Sequence, residues 1–261
     1  MSIRAFLKRD FLIEKNYKIA FFLRLAGMYL YLSVFYFMGF WLEKNSSFFS
    51  GEFFLRVFLG IVFAKILLIP LNSFSESLRK EQLFGTLESL FMASKDNLRL
   101  LAGIVAYPLL YGFLETAIYL GALVFIRLPG GINIFFLLMG LFLGLISMTA
   151  LGIISASFIM AFKRGDPVNF LLNAGMTLLG GVFFPVSILS GWLLKIAFLN
   201  PVTHALELIR IGFGFSGSLS VTPIESILFL TVFSLVILPA ALYAFKLAVK
   251  YAKKTGSLGK Y

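Results

Sequence analysis

The chain of 261 residues contains no cysteine, a single histidine and few charged residues, since Asp, Glu, Lys and Arg together make up 13%. Without cysteine there is no disulfide, no thiolate catalysis and no cysteine-based metal site. The one histidine, His204, does not form a metal site by itself. The sequence also lacks the G-x-x-x-x-G-K-[ST] phosphate-binding loop and the H-E-x-x-H zinc motif. Any work driven by nucleotide hydrolysis therefore requires a separate protein.

Apolar residues are abundant, at 60% of the chain, and the mean hydropathy is +0.96. This composition is typical of an integral membrane protein. The formal net charge is +11. We interpret the cations as markers of membrane orientation, because they lie mainly beside apolar runs, and we expect no nucleic-acid partner.

Six apolar runs are long enough to cross a bilayer as helices. They are residues 19–42, 53–74, 100–125, a stretch within 132–162, a fifth run that starts at Val168, and residues 224–245. Before them, residues 1–18 mix basic and apolar side chains with helical spacing, which predicts a cytoplasmic amphipathic helix at the membrane surface. The whole chain, 1–261, is interpreted as one all-α transmembrane domain.

The distribution of lysine and arginine predicts the orientation of these spans. Sixteen of the 23 cationic residues lie on the side that holds both termini and residues 76–96, and five lie on the other side. Cationic residues are enriched on the cytoplasmic side of membrane proteins. The predicted fold is therefore six transmembrane helices with both termini in the cytoplasm.

A polar segment, residues 76–96, separates the second and third apolar runs. It contains one apolar stripe with helical spacing, formed by Leu83, Phe84, Leu87, Leu90 and Phe91. The opposite face comprises Glu81, Gln82, Gly85, Glu88 and Ser89. This pattern predicts an amphipathic helix along the membrane, with its polar face toward the cytoplasm. A solvated loop that only joins two spans is the alternative.

Two ionisable residues, Lys65 and Glu115, lie inside predicted spans. An unpaired charge in a membrane is costly, so each either has a structural role or lines a pathway. The structural role is an ion pair between helices or, for Lys65, extension of its ammonium group to the membrane interface. Small and polar residues also recur at intervals of four, which favours close helix packing and less often a pathway. They are Asn169, Asn173, Thr177 and Gly181 in the fifth run, and Gly140 and Gly144, followed by Ser147, in the fourth.

The fifth apolar run is broken, and a structured external element is predicted after it. The break comprises Gly180, Gly181 and Pro185. The next apolar piece, residues 192–199, is too short to cross a membrane. A short helix then begins with Asn200 as N-cap and Pro201 as first residue, and Gly212 or Gly214 ends it. This helix carries Thr203, His204, and a pair with helical spacing, Glu207 and Arg210.

Two stretches resemble the signature of the ABC-2 type transporter permeases. The longer one, residues 180–210, begins G-G-V-F-F-P-V-S-I-L-S-G-W-L and ends L-N-P-V-T-H-A-L-E-L-I-R. The other, E-x-x-x-G-T-L-E at residues 81–88, is similar to the cytoplasmic segment after the second span of that family. The C-terminal K-K-T-G-S-L-G-K-Y is similar to tails of the drug-resistance branch. The order and number of spans agree over the whole chain.

The resemblance implies a defined assembly. Two six-span subunits pair, here as a homodimer, and two copies of an ABC ATP-binding subunit bind their cytoplasmic faces. That partner would bind ATP and Mg, and this chain would hold no cofactor or metal. Residues 81–91 would form the coupling helix, and residues 163–167 a second, smaller contact. The coupling residues would be Glu81, Gly85, Thr86, Glu88, Arg164 and Asp166.

The resemblance also implies that residues 185–214 form an external re-entrant element that closes the exit. Its residues, with the break before it, would be Gly180, Gly181, Pro185, Asn200, Pro201, His204, Glu207 and Arg210. One departure concerns the end of the coupling segment, where family members often carry a proline and this chain has Ala93-Ser94-Lys95.

These features predict a non-catalytic membrane subunit of an ABC exporter in the cytoplasmic (inner) cell membrane, with a drug-like, lipid or other hydrophobic substrate. One alternative is export of a polysaccharide or glycolipid. Such relatives often carry a basic, Trp-containing start to the first span, where this chain has only Arg24 and a late Trp41. Another alternative is a membrane-embedded ion pathway or enzyme built on Lys65 and Glu115.

Overall fold

The computed structural model describes residues 3–16, 18–45, 53–93, 97–121, 131–162, 166–217 and 221–254. These residues form α-helices, one short 3-10 turn at Val186–Ile188, and no strand, which confirms the all-α prediction for the described part. The helices are α1 (Ile3–Asn16), α2 (Lys18–Asn45), α3 (Phe53–Leu67), α4 (Ile69–Leu83), α5 (Leu87–Ala93), α6 (Asn97–Gly121), α7 (Ile134–Phe162), α8 (Asp166–Leu179), α9 (Trp192–Phe198), α10 (Pro201–Gly212) and α11 (Pro223–Lys254).

Three helices in the described ranges are long and apolar enough to cross a membrane. They are Arg99–Gly121 in α6, Ile134–Ala161 in α7, and α11 over Pro223–Lys254. A fourth candidate is the pair α3 and α4 taken together, which is bent by 40°. Shorter apolar stretches lie in α2, at Leu25–Met38, and in α8, at Pro167–Leu179. The chain is thus a multi-pass membrane protein, and the count of six spans stays a prediction.

The bend between α3 and α4 has a local cause. Pro70 is the second residue of α4 and has no N–H group to continue the hydrogen bonds of the preceding turn. The Leu68 N–H still donates to the Ala64 carbonyl, and the Asn72 N–H donates to the Leu68 carbonyl. The chain is therefore helical on both sides of the bend, and α4 continues beyond the second apolar run.

Helix α7 is the central helix and packs against α4, α10 and α11. Gly140 and Gly144 lie so close to Ala205 of α10 that a side chain at either position would collide with that helix. Ser147 Oγ lies 2.9 Å from Ser234 Oγ of α11. These contacts confirm the predicted close-packing face of the fourth apolar run.

Buried apolar side chains form two large clusters. The first surrounds α3 and α10. The second joins α1, α4, α5, α6, α7 and the C-terminal half of α11 around the polar segment. The predicted N-terminal helix is present as α1, and its Phe6 is buried against Gly103 of α6. Its position at a membrane surface stays a prediction.

Candidate functional sites

The polar segment contains two helices separated by a turn at residues 84–86, so the prediction of one continuous amphipathic helix is wrong. Gly85 has φ +69°, a left-handed conformation that favours glycine. The Thr86 N–H donates to the Glu81 carbonyl, and the Gly85 N–H donates to the Gln82 carbonyl. This is the Schellman arrangement that ends helices.

The turn also divides the predicted apolar stripe. Leu87 and Phe91 are buried in the second cluster, whereas Leu83 and Phe84 are 66% and 77% exposed. The helical period is interrupted, so residues before and after the turn no longer share one face. Gln82, predicted on the polar face, is buried, and its side-chain amide donates to a carbonyl of α7 at 3.3 Å.

The structure brings the predicted coupling residues of the polar segment together. The Thr86 hydroxyl donates to one Glu81 carboxylate oxygen, and Arg9 of α1 donates to the other at 3.5 Å. Glu88 is exposed in the first turn of α5, where the helix dipole stabilises negative charge. We call the following residues the turn surface: Glu81, Leu83, Phe84, Gly85, Thr86 and Glu88.

The second predicted coupling contact is described only at its end. Arg164 lies outside the described residues. Asp166 is the first residue of α8, so the last two residues of the contact at 163–167 form the start of that helix. The role of this contact stays a prediction.

Lys65 of α3 and Glu115 of α6 form an ion pair, with 2.6 Å between Lys65 Nζ and Glu115 Oε2. The same Nζ donates to the Tyr119 hydroxyl at 3.4 Å, and Tyr29 of α2 packs edge-on against the Tyr119 ring. The Glu115 side chain is 3% exposed and that of Lys65 is 34% exposed. Within the described residues, Glu115 Oε1 has no hydrogen-bond partner. Of the two alternatives, this geometry favours the ion pair between helices, and a pathway role stays a prediction.

The polar stripe of α8 joins a hydrogen-bonded cluster with α4 and α7. Asn72 Oδ1 accepts from Asn173 Nδ2 at 2.6 Å and from Asn169 Nδ2 at 3.3 Å. Ser75 Oγ donates to Asn169 Oδ1 at 3.2 Å and lies 2.9 Å from Ser155 Oγ. The stripe therefore packs against another helix, as the more common interpretation of its pattern predicts.

An open hollow of about 540 Å³ lies along the same stripe. Its lining residues are Asn169, Phe170, Asn173, Ala174, Thr177 and Leu178. The Thr177 hydroxyl donates to the Asn173 carbonyl at 2.8 Å. A pathway lined by these residues stays a prediction, beside the packing role that the hydrogen bonds establish.

The predicted break after the fifth apolar run is confirmed. Helix α8 ends before Gly180, and Gly181 has φ +70°. Pro185 then precedes the 3-10 turn, and α9 is only seven residues long. Because the helix is interrupted, residues 180–199 cannot complete a span as one helix.

Asn200 caps α10, as predicted. Its Oδ1 accepts from the Val202 N–H at 3.0 Å, and its Nδ2 donates to the Met176 carbonyl of α8 at 3.1 Å. Pro201 is the first residue of α10 and Gly212 is the last. Local residue types therefore determine both ends of this helix.

Helix α10 lies inside the protein, with residues 201–210 all buried. His204 Nδ1 lies 3.1 Å from Ser226 Oγ, and its Nε2 lies 2.8 Å from the Phe198 carbonyl oxygen. The ring stacks on Phe229 of α11, with 4.2 Å between ring centres. Burial lowers the pKa of His204, which favours the neutral ring.

Arg210 connects α10 to the break and to α3. Its Nη2 donates to the Gly181 carbonyl at 2.7 Å and to the Arg56 carbonyl at 3.1 Å. Burial lowers the pKa of Arg210 to about 10, and the charge of Glu207 opposes this shift. Arg210 is therefore still charged at neutral pH. The spacing of Glu207 and Arg210 thus brings two buried charges close to each other.

These helices and the apolar sequence define the class of the chain, a multi-pass helical membrane protein. The family model of the ABC-2 type transporters matches residues 1–213, which include the polar segment, the break and α10. The chain belongs to the ABC-2 type transporter family. No curated protein and no solved structure matches it. Members of this family are membrane subunits of ABC transporters, generally non-catalytic, and membership implies association with an ABC ATP-binding subunit.

Proposed function

We propose that this chain is the permease subunit of an ABC exporter in the cytoplasmic (inner) cell membrane, with six spans and both termini in the cytoplasm. It acts as a homodimer with two copies of an ABC ATP-binding subunit. That partner binds ATP and Mg, while this chain catalyses no covalent reaction and holds no cofactor. Family membership supports the role of membrane subunit, and the cation distribution supports the orientation.

The observation that carries the proposal is the turn surface. Leu83 and Phe84 are large, adjacent and exposed, and Glu88 is exposed beside them. Contiguous exposed apolar side chains with a polar rim are typical of protein interaction sites. The turn surface is therefore the docking site for the ATP-binding subunit, with the two apolar side chains as anchors and the carboxylates at the rim.

Contacts on both sides of the turn support transmission of movement to the spans. On one side, α4 continues into α3 and contacts α8 through Asn72. On the other side, the Phe91 ring of α5 lies 6.4 Å from that of Phe245 in α11. A tilt of the turn surface, driven by ATP in the partner, would therefore move α4 and α11 together and open a path between two subunits.

Residues 185–214 are proposed to close the exit on the external side. Helix α9 is short and α10 is buried within the protein, and both observations support a re-entrant element rather than a further span. The substrate is proposed to be drug-like, lipid or otherwise hydrophobic, as the tail similar to the drug-resistance branch suggests. Export of a polysaccharide or glycolipid is the alternative within the family. The Lys65–Glu115 pair supports a structural role for these two residues and disfavours an ion pathway or enzyme built on them.

Co-purification with the ATP-binding subunit tests this proposal. We expect Leu83→Ser combined with Phe84→Ser to abolish co-purification, because the anchors of the docking surface are removed. A matched control is Ile188→Ser with Leu199→Ser, whose side chains are 59% and 67% exposed outside the turn surface. The control should retain the partner. Equal retention by both variants would contradict the assignment of the turn surface.

A further inference from the structure

An apolar cleft lies between α6 and α11. Helix α6 packs on α1, α3 and α4, whereas α11 packs on α7 and α10, and the space between the two has a volume of about 380 Å³. Its walls include Phe74, Leu101, Val105, Ile153, Leu238 and Leu242. Among the described residues that line it, only Thr149 has a polar side chain, and its hydroxyl donates to the Leu145 carbonyl at 2.7 Å. The cleft therefore suits an apolar occupant.

The position of the cleft indicates which apolar occupant it meets. Both bordering helices, α6 and α11, are candidate spans, so an opening between them faces lipid hydrocarbon. The wall on α6 includes two small residues, Ala102, which is exposed, and Ala106, which is half-buried. Apolar cavities stay dry and bind apolar groups. A lipid acyl chain is such a group, and the surrounding bilayer supplies it.

A cation lies beyond the cleft on each bordering helix. Arg99 precedes Ala102 by one helical turn, and Lys246 follows Leu242 by one turn, so each cation shares a face with a cleft residue. Helix α6 begins and α11 ends near the polar segment, because residues from both ends join the second cluster. Arg99 and Lys246 are exposed, and neither forms an ion pair within the described part of the chain. Two available positive charges thus lie at the same end of one apolar cleft.

We propose that this cleft binds one anionic phospholipid from the leaflet on the polar-segment side, with an acyl chain between α6 and α11 and the phosphate between Arg99 and Lys246. Basic pockets between membrane helices on the cytoplasmic side bind anionic headgroups. The apolar walls select for an attached acyl chain, and the two cations select for net negative charge. This lipid is a resident ligand of the permease, distinct from the transported substrate.

The site adjoins the helix that follows the turn surface. Leu101 of the cleft belongs to the same apolar cluster as Leu87 and Phe91 of α5. A bound acyl chain fills the space beside this cluster and so supports the packing that holds α5. Occupancy of the cleft therefore stabilises the position of α5, the helix that follows the turn surface.

Lipid binding to the purified full-length chain in detergent tests the headgroup half of the proposal. The probes are phosphatidylglycerol and phosphatidylcholine with identical acyl chains, measured by native mass spectrometry. We expect Arg99→Gln with Lys246→Gln to weaken phosphatidylglycerol binding about thirtyfold and to leave phosphatidylcholine binding unchanged. Lys8→Gln with Lys195→Gln removes the same charge from exposed positions on α1 and α9 and should leave both lipids unaffected. An equal loss in this control would overturn the proposal.

A second variant tests the acyl-chain half. Ala106→Leu fills the cleft and keeps both cations, so it should weaken binding of both lipids while the melting temperature without lipid stays unchanged. If that variant does not fold, Thr149→Ile fills the same cleft from α7. Normal lipid binding in a folded, filled variant would show that the cations act only as a charged surface, which overturns the site. Cross-linking of Ala102→Cys between two copies would also overturn it, because a second subunit would then cover the cleft.

Discussion

The turn surface and α10 depart from ordinary burial in opposite ways. In α10 the polar side chains of His204 and Arg210 point inward and bond within the protein. At the turn surface the apolar side chains of Leu83 and Phe84 point outward. Buried polar groups and exposed large apolar groups are the informative exceptions to ordinary burial. The first exception shows where the fold depends on specific bonds, and the second is the surface that we propose as the docking site of a partner.

We therefore expect mutations in α10 and mutations at the turn surface to affect different properties, stability in the first case and coupling in the second. Changes in α10 should lower the free energy of unfolding, because buried groups lose their partners. Changes at the turn surface should leave stability nearly intact and reduce coupling to the ATP-binding subunit. The predictions below test this division, beginning with the largest expected change in stability.

Arg210→Met should cause the largest loss, about 3 kcal/mol, because the carbonyl of buried Gly181 and that of half-buried Arg56 lose their donor. Arg210→Lys should fall between this variant and the wild type, since an ammonium group lacks the forked geometry of the guanidinium. The melting temperature in detergent measures the effect. Lys195→Met, on exposed α9, is the control and should melt as the wild type does. A wild-type melting temperature for Arg210→Met would contradict the anchoring role of α10.

Glu115→Gln should destabilise the protein by about 2 kcal/mol, because Lys65 loses the partner that lies 2.6 Å away. Adding Lys65→Met should restore most of the loss, since the unpaired charge is removed. Melting temperature and transport are measured in the single and the double variants. If Glu115→Gln melts normally but transports poorly, the pair has a role in the pathway rather than in the fold.

Gly85→Val should have the smallest effect on stability, about 1 kcal/mol, which comes from the left-handed backbone conformation. No other atom lies within 4 Å of a Cβ added at this position, so packing is not disturbed. Gly85→Asn should behave as the wild type, because asparagine tolerates this conformation. Substrate-stimulated ATPase activity should fall several-fold for Gly85→Val alone. Unchanged activity would show that coupling does not require the left-handed conformation of the turn.

Local residue types were sufficient to predict α10 and the break before it. The N-cap at Asn200, the first residue Pro201 and the end at Gly212 depend on backbone groups within one turn of each residue. The same kind of signal was present at Gly85, where a glycine follows an apolar residue in a helical pattern. The apolar periodicity of residues 83–91 continues across this glycine, so a prediction from periodicity alone makes the helix too long.

Contacts between distant helices could not be predicted from spacing along the chain. Periodicity placed Leu83 and Phe84 on one face with Leu87 and Phe91, but contacts with other helices bury only the second pair. Asn72 was missed, although an asparagine inside an apolar run was a visible signal. The Lys65–Glu115 pair remained one of two alternatives, because its residues lie on separate helices whose packing sets their distance.

The burial of α10 also constrains the order in which the protein is assembled. The ribosome makes α7 before α10, but α11 only after it, and His204 of α10 contacts Ser226 and Phe229 of α11. Until α11 enters the membrane, one side of α10 is uncovered and its polar groups lack those contacts. The last helix therefore completes the environment of the one before it. His204 therefore reaches its final environment only after α11 has been inserted.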